Sequence, residues 1–324
     1  MQIITAANIY NKILDASIVT IGNFDGVHRG HAEIFSHLKQ KSTVLQIPSV
    51  VVTFEPHPLK ILAPESAPAM ITTFAQKASL IEEQGIDYVI AVPFSTEFSQ
   101  LSAHDFVCNV LCHSFGMKHI IIGHDYAFGK GREGNYATLE TLGALHGFTV
   151  EDLPPIGEEG TIFSSSRARS VITDGDVETA AHILGRYYQI SGKVVHGREI
   201  GKSLGFPTAN IATANELLPA DGVYAVMTEI DGQCVKGACN IGCNPTFGPS
   251  ERTVEVFLLD YSGHIYDHGI SIHFVQRLRS TRRFPDIEAL KSAISQDVAR
   301  TRDILENLKS DYLKITDRSE TCAY

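Results

Sequence analysis

The chain has 324 residues, 44% of them hydrophobic, with 26 glycines, no tryptophan and a formal net charge of −10. That length suits about two domains of roughly 150 residues each, and the apolar fraction is enough for a core in both. The acidic balance argues against general affinity for nucleic acid or anionic membrane, which need basic patches, and no apolar run is long enough to span a bilayer.

Met1 to Tyr10 lacks the basic start and apolar core of a signal peptide, which predicts a cytoplasmic protein. Ser17 to Gly22 reads as a buried strand. Gly30 to Lys41 reads as a helix with Ile34, Phe35 and Leu38 on one face. Val50 to Phe54 is a second strand, and Phe74 to Gln84 is a helix stopped by Gly85. Tyr88 to Val92 is a third strand, and Ser102 caps a helix that runs to about Phe115. His119 to Ile122 is a fourth strand, Tyr136 to His146 a helix and Phe148 to Glu151 a fifth strand. This alternation predicts a mainly parallel sheet covered by helices on both faces.

The pattern changes near Gly185. Helical segments at Ser165 to Val171 and Val177 to Leu184 give way to strand-like runs. These are Tyr188 to Val195, Gly222 to Ile230, Gln233 to Asn240, Thr253 to Leu259 and Ile270 to Phe274. Asp231-Gly232 is a strong two-residue hairpin signal and Ser262-Gly263 a weaker one. Short strands with glycine turns predict an antiparallel barrel, followed by a helix from Ile287 to about Leu308. The six cysteines form no Cys-x-x-Cys pair and no compact histidine set accompanies them, so they read as reduced thiols.

Two constellations carry chemistry. The first is Gly22-Asn23-Phe24-Asp25-Gly26-Val27-His28-Arg29-Gly30-His31, between a strand and a helix. The unpaired amides and dipole of a helix N-terminus favour phosphate. His28 and His31, three residues apart, share a helix face and can donate hydrogen bonds to a phosphate under attack. Gly30 permits close approach of backbone and nucleotide. The second is Leu204-Gly205-Phe206-Pro207-Thr208-Ala209-Asn210. In an extended segment Thr208 and Asn210 share a face, and their neutral oxygens suit Mg2+ when ATP supplies the charge. Gly192, Gly197 and Gly205 in the preceding stretch offer amides to phosphate.

The first constellation resembles the nucleotidyltransferases marked by His-x-Gly-His, in particular the adenylyltransferase module of bacterial FAD synthetases. Thr53-Phe54-Glu55-Pro56-His57-Pro58, Gly123-His124-Asp125-Tyr126-Ala127-Phe128-Gly129 and Phe163-Ser164-Ser165-Ser166-Arg167-Ala168-Arg169 fit the same branch. The resemblance implies that Gly22, Phe24, Asp25, Gly30, Ser164, Ser165 and Arg169 bind ATP. It also implies that Arg167 acts with His28 and His31 in catalysis, and that His57, Asp125, Tyr126 and Phe128 meet flavin. Phe163, Ser166 and Tyr126 replace the usual isoleucine, threonine and phenylalanine.

The region from Gly192 onward resembles the riboflavin kinase module. Gly192 to Gly197, Leu204 to Asn210, Gly222-Val223-Tyr224, Asn240-Ile241-Gly242 and Asn244 to Gly248 follow in the family's order. The resemblance implies ATP contacts at Gly192, Gly197, Lys202, Gly205 and Thr208. It implies Mg2+ held by Thr208 and Asn210, and flavin contacts at Arg279 and Phe284. By its strand position alone Glu255 reads as an outward-facing residue; the resemblance makes it the base for the riboflavin 5′-hydroxyl. Phe257 replaces a common histidine, Asp267 a glycine and Thr281 a glutamate.

Together these resemblances imply a Rossmann-like nucleotidyltransferase domain over 1–184, an antiparallel β-barrel kinase domain with a terminal helix over 185–310, and a tail over 311–324 of no assigned role. They imply that riboflavin, FMN and ATP are the partners, with FMN and FAD as products; homo-oligomerisation stays open. The sequence leaves two other readings open. Gly129-Lys130-Gly131-Arg132-Glu133-Gly134 satisfies the dinucleotide pattern Gly-x-Gly-x-x-Gly of an NAD-dependent dehydrogenase, though it follows a late strand. A flavin- or nucleotide-binding protein with one module inactive is the non-enzymatic alternative.

Overall fold

The computed structural model describes residues 1–5, 10–124, 126–158, 160–197, 201, 204–243 and 252–308. By contacts the chain divides into two units, Met1–Ser165 and Ser166–Tyr324. In the first unit, β1 (Gln2–Thr5), β2 (Ser17–Ile21), β3 (Ser49–Glu55), β4 (Tyr88–Pro93), β5 (Met117–Gly123) and β6 (Thr149–Leu153) form one sheet in the order β1-β4-β3-β2-β5-β6. Every pairing is parallel. Every residue of β2 is buried, as expected of a central strand covered on both faces.

Strand order runs one way from β2 through β3, β4 and β1, and the other way through β5 and β6. The crevice beyond the carboxyl end of β2 is therefore the topological switch point where such sheets bind ligands. The loop Gly22 to His28 occupies it. It leads into α1 (Arg29–Leu45), which outruns the expected helix because no breaker intervenes before Gln46, its left-handed cap at φ 55°.

α2 (Pro58–Leu62) was not signalled by the sequence; α3 (Phe74–Glu83) was, and carries a full Thr73/Gln76 capping box. Ser102 caps the next helix as expected, but only α4 (Ala103–Asp105) is α-helical before the chain widens into a π-helix over Phe106–Ser114. α5 (Tyr136–His146) ends at Gly147. A two-strand ribbon, β7 (Gly157–Glu158) with β8 (Thr161–Ile162), precedes α6 (Ser165–Asp174) and α7 (Val177–Leu184).

The second unit contains a closed antiparallel barrel, β10-β13-β12-β11-β14-β9. Its strands are β9 (Tyr188–Val195), β10 (Thr208–Thr213), β11 (Gly222–Ile230), β12 (Gln233–Cys243), β13 (Arg252–Leu258) and β14 (Gly269–Ser280). Asp231 and Gly232 both take positive φ, 50° and 77°, as the tight β11–β12 hairpin requires. Ser262-Gly263 makes no such hairpin: β13 ends at Leu258 and β14 starts only at Gly269. α8 (Ile287–Glu306) follows, capped by Asp286.

β11 is buried along nearly its whole length because both its faces are covered. Tyr224 and Val226 share the buried set with Tyr188 and Phe274, whereas Val223, Ala225 and Met227 pack with Ala181 of α7 and Leu305 of α8. Among the described residues, no helix is long and apolar enough to cross a membrane.

Candidate active sites

The loop after β2 is tightly folded. Phe24, Gly26 and Val27 take φ of 48°, 80° and 40°. For a β-branched valine this is an outlier, and such strain, of order 1–3 kcal/mol per residue, persists where surrounding contacts hold it. Those contacts are present. The buried Asp25 carboxylate accepts hydrogen bonds from Ile71 N at 3.0 Å and Thr72 N at 3.2 Å. Thr72 Oγ1 in turn accepts from Gly26 N at 3.2 Å. Lys77, only 5% exposed, donates from Nζ to Asn23 O at 3.2 Å and Thr53 Oγ1 at 3.0 Å. Burial pushes the Lys77 amine down, against the pull of Glu55 and Asp25.

His28 caps α1. Its Nδ1 accepts from His31 N at 3.4 Å, which leaves the proton of a neutral ring on Nε2. The His28 and His31 rings stack with centroids 3.6 Å apart, and the Phe24 ring braces His31 edge-on at 5.1 Å. Two glycines leave little room for a side chain. A Cβ on Gly30 would stand 3.2 Å from the His28 ring, and one on Gly22 would stand 3.0 Å from the Phe24 ring. The structure thus brings Gly22, Phe24, Asp25, His28, Gly30 and His31 together, with Asp25 shaping the loop from within.

The serine element reaches the same loop. Arg29 pairs with Glu158 and lies over the Phe163 ring, 4.6 Å from its centroid, so the phenylalanine that departs from isoleucine supplies a cation–π platform. Ser165 Oγ then donates to Asp25 O at 2.8 Å. Ser164 precedes it, and Arg167 and Arg169 follow on α6. His57 caps α2: Nδ1 accepts from Leu59 N at 3.2 Å, and Nε2 lies 3.0 Å from the Asn23 side-chain amide. With the proton on Nε2, Asn23 would present its oxygen there.

Tyr126 stacks on Phe128 at 5.6 Å, and Phe128 is 6% exposed and packs on Phe106 in the core. Asp125 lies outside the described residues, as does Lys202. Gly129, Gly131 and Gly134 build a tight turn closed by a Phe128–Gly134 bridge, and they follow β5, not the first strand of a βαβ unit as the dinucleotide pattern requires.

In the barrel, Val254, Val256 and Leu258 of β13 point inward, leaving Glu255 and Phe257 on the other face. Asn210 of β10 stands opposite Glu255 on one side and Asn240 of β12 on the other. Burial pushes the Glu255 carboxyl up, and a hydrogen bond with the Thr208 side chain opposes it. Thr208, Asn210, Asn240 and Glu255 therefore share one surface of three adjacent strands. A Cβ on Gly197 would come 2.0 Å from Asn210 Nδ2, and one on Gly201 would come 3.2 Å from Thr208 Oγ1. Gly197 and Gly201 are pressed directly against these side chains. Gly192 lies against Ala212 of β10, and Gly205 takes φ 88°.

Two departures gain a physical account. Asp267 sits at φ 67°, a conformation natural to glycine and tolerated by aspartate, and pairs with Lys193 at 3.0 Å. Phe257 packs edge-on against Phe206 at 5.6 Å. Arg279 makes a bidentate pair with the buried Asp297 of α8, Nε to Oδ1 at 3.1 Å and Nη2 to Oδ2 at 2.7 Å, and lies over Phe284 at 5.5 Å.

Sequence reasoning missed Thr72, Lys77 and Asp297. Lys77 had a signal: it falls on the apolar stripe of α3 with Ala78 and Ile81.

The FAD synthetase family model matches residues 10–167, and the riboflavin kinase family model matches residues 184–305. The bifunctional riboflavin kinase/FMN adenylyltransferase of Pseudomonas fluorescens is 40% identical over 286 residues, 88% of this chain and 92% of the relative. The Escherichia coli K12 protein of the same name is 35% identical over 290 residues, 89% of this chain and 93% of the relative. A Streptococcus pneumoniae crystal structure described as a macrolide-efflux protein superposes with a TM-score of 0.86 at 30% identity, covering 95% of this chain and 99% of that one.

Proposed function

The chain belongs to the bifunctional riboflavin kinase/FMN adenylyltransferase family, and from that premise we propose that each reaction is carried by the constellation described above for it. The protein phosphorylates riboflavin with ATP to FMN and adenylylates FMN with ATP to FAD. We assign adenylylation to residues 1–184 and phosphorylation to 185–310.

In adenylylation the attacking FMN phosphate is already an anion, so no strong base is needed. His28 Nε2–H, His31 and the first amides of α1 would stabilise charge developing on the α-phosphate. Arg167, Arg169, Ser164 and Ser165 keep the triphosphate role that the sequence resemblance gives them. His57, Tyr126 and Phe128 would form the flavin side.

In the kinase the nucleophile is a neutral hydroxyl, and Glu255 would take its proton. Support comes from the cross-strand pairing of Asn210 with Glu255 and the hydrogen bond between Thr208 and Glu255. Thr208 and Asn210 are neutral oxygen donors beside a carboxylate, a set that fits Mg2+. Bound with ATP, the ion would neutralise phosphate charge. Gly192, Gly197 and Gly205 would wrap the nucleotide. Arg279 and Phe284, fixed by Asp297, would border the flavin. A cytoplasmic setting is consistent with the free thiols at Cys108, Cys112, Cys234 and Cys239.

Glu255→Gln tests this assignment. Riboflavin phosphorylation should fall by about 10²–10⁴-fold, the usual worth of general-base assistance, while adenylylation of supplied FMN stays at the wild-type rate. Undiminished phosphorylation would remove Glu255 from the mechanism.

A further inference from the structure

Away from the nucleotide loop, the first unit gathers three nitrogen and sulfur donors that neither reaction uses. His104 and Cys108 stand four residues apart, across the junction of α4 with the π-helix, and so share a helix face. His146 is the last residue of α5, just before Gly147 turns the chain away. Cys108 Sγ lies 3.2 Å from His146 Nε2 and 3.6 Å from His104 Nε2. One donor atom from each residue falls within 4.8 Å of the other two. The two imidazoles meet edge to face, with centroids 6.1 Å apart.

Tetrahedral zinc, with bonds of about 2.3 Å to sulfur and 2.0 Å to nitrogen, places sulfur and nitrogen about 3.5 Å apart. The two separations found here, 3.2 and 3.6 Å, bracket that spacing before any ion draws the ligands in. Asp105 lies close by. Its Oδ1 lies 3.7 Å from His104 Nδ1, and its Oδ2 accepts from Ser102 Oγ at 2.7 Å. At that separation the carboxylate is an electrostatic neighbour of Nδ1 and not a hydrogen-bond acceptor; a modest rotation of the ring would make it the outer partner usual behind metal-bound histidines. His104 and His146 are exposed and Cys108 half-buried, so an ion has a path in.

We propose that His104, Cys108 and His146 form a binding site for a borderline divalent transition ion of the zinc class, with a fourth position open to solvent. One thiolate and two imidazoles suit zinc and its neighbours and do not suit Mg2+, which takes oxygen donors. The site is therefore chemically separate from the Thr208–Asn210 pair. The ion cross-links the helix after Ser102 to the end of α5, two segments that share a core through Phe106, Val110, Leu139 and Leu142. Its effect falls on the stability of the first unit. Cys112, one turn further along, lies outside the set and serves as a control.

Co2+ titration of the full-length protein, without ATP or magnesium, tests the proposal. One equivalent should bind with a thiolate-to-cobalt charge-transfer band and the strong visible absorption of four-coordinate cobalt. Zn2+ should displace it and raise the Tm. Cys108→Ser should abolish both the band and the zinc-dependent Tm shift. His146→Gln should weaken binding at least tenfold, and Cys112→Ser should change neither readout. All three variants should keep both flavin reactions, which shows that they fold. The absence of a thiolate–cobalt band in the wild type, or its survival in Cys108→Ser, would overturn the site.

Discussion

At the scale of single residues, the two proposed sites depend on glycines as much as on reactive side chains. Gly197 is the sharpest case, since a Cβ there would overlap the Asn210 amide at 2.0 Å. Gly197→Ala should therefore displace Asn210 and cut riboflavin phosphorylation at least tenfold while FMN adenylylation continues. Both rates can be read from one preparation, and equal loss of both would point to misfolding. The sequence showed these residues because they lie in short contiguous motifs. It did not show Lys77 or Thr72, which act on the first loop from about fifty residues away and touch it only through tertiary packing. The His104–Cys108–His146 set was hidden for the same reason, since its third donor lies 38 residues beyond the cysteine.

At the scale of elements, polar junctions fix where strands and helices begin. Asp87, just ahead of β4, accepts from Ser49 N at 2.9 Å, Ser49 Oγ at 2.6 Å and Lys39 Nζ at 3.0 Å, tying β4 to β3 and α1. Burial pushes its carboxyl up, but the hydrogen bonds from Ser49 and Lys39 outweigh that and hold it below the usual aspartate range. A carboxylate lowered on folding stabilises the protein above its unfolded pKa, and that contribution fades as pH falls through the folded value. Asp87→Asn should thus cost roughly 1 kcal/mol near neutrality, allowing for solvent screening, and almost nothing in strong acid. Denaturant titrations at several pH values would show it; a pH-independent cost would refute the charge's part.

Asp297 makes a stronger junction, because the Arg279 it holds is largely buried beside it. Asp297→Ala leaves that cation unpaired and should destabilise the barrel unit by about 3 kcal/mol, seen as a lower unfolding midpoint. A change under about 0.5 kcal/mol, the scale of an ordinary surface substitution, would show that the pair contributes little. Most central elements were legible because their periodicity is strong. Tyr188–Val195, Gly222–Ile230 and Tyr136–His146 match the sequence reading residue for residue. β1 and α2 are too short to show a period. Ser262-Gly263 misled because a turn-forming pair says nothing about where the flanking strands stop pairing.

At the scale of the whole molecule, one chain runs two ATP-dependent steps on the same flavin, and the product of the first is the substrate of the second. The sequence changes from alternating to consecutive strands near Gly185, whereas contacts divide the chain between Ser165 and Ser166. The family matches cover 10–167 and 184–305. Nothing local in the sequence could reveal that strand order reverses beside β2, which is what brings the His28 loop to the ligand crevice. Each step is proposed to have its own residues. The most direct measurement is a chromatographic time course from riboflavin, ATP and magnesium, run on the wild type and on His31→Ala. The wild type should form FMN first and then FAD, while the variant should stop at FMN with its phosphorylation rate unchanged. FAD formation by His31→Ala at the wild-type rate, or loss of FMN formation along with FAD, would contradict that separation.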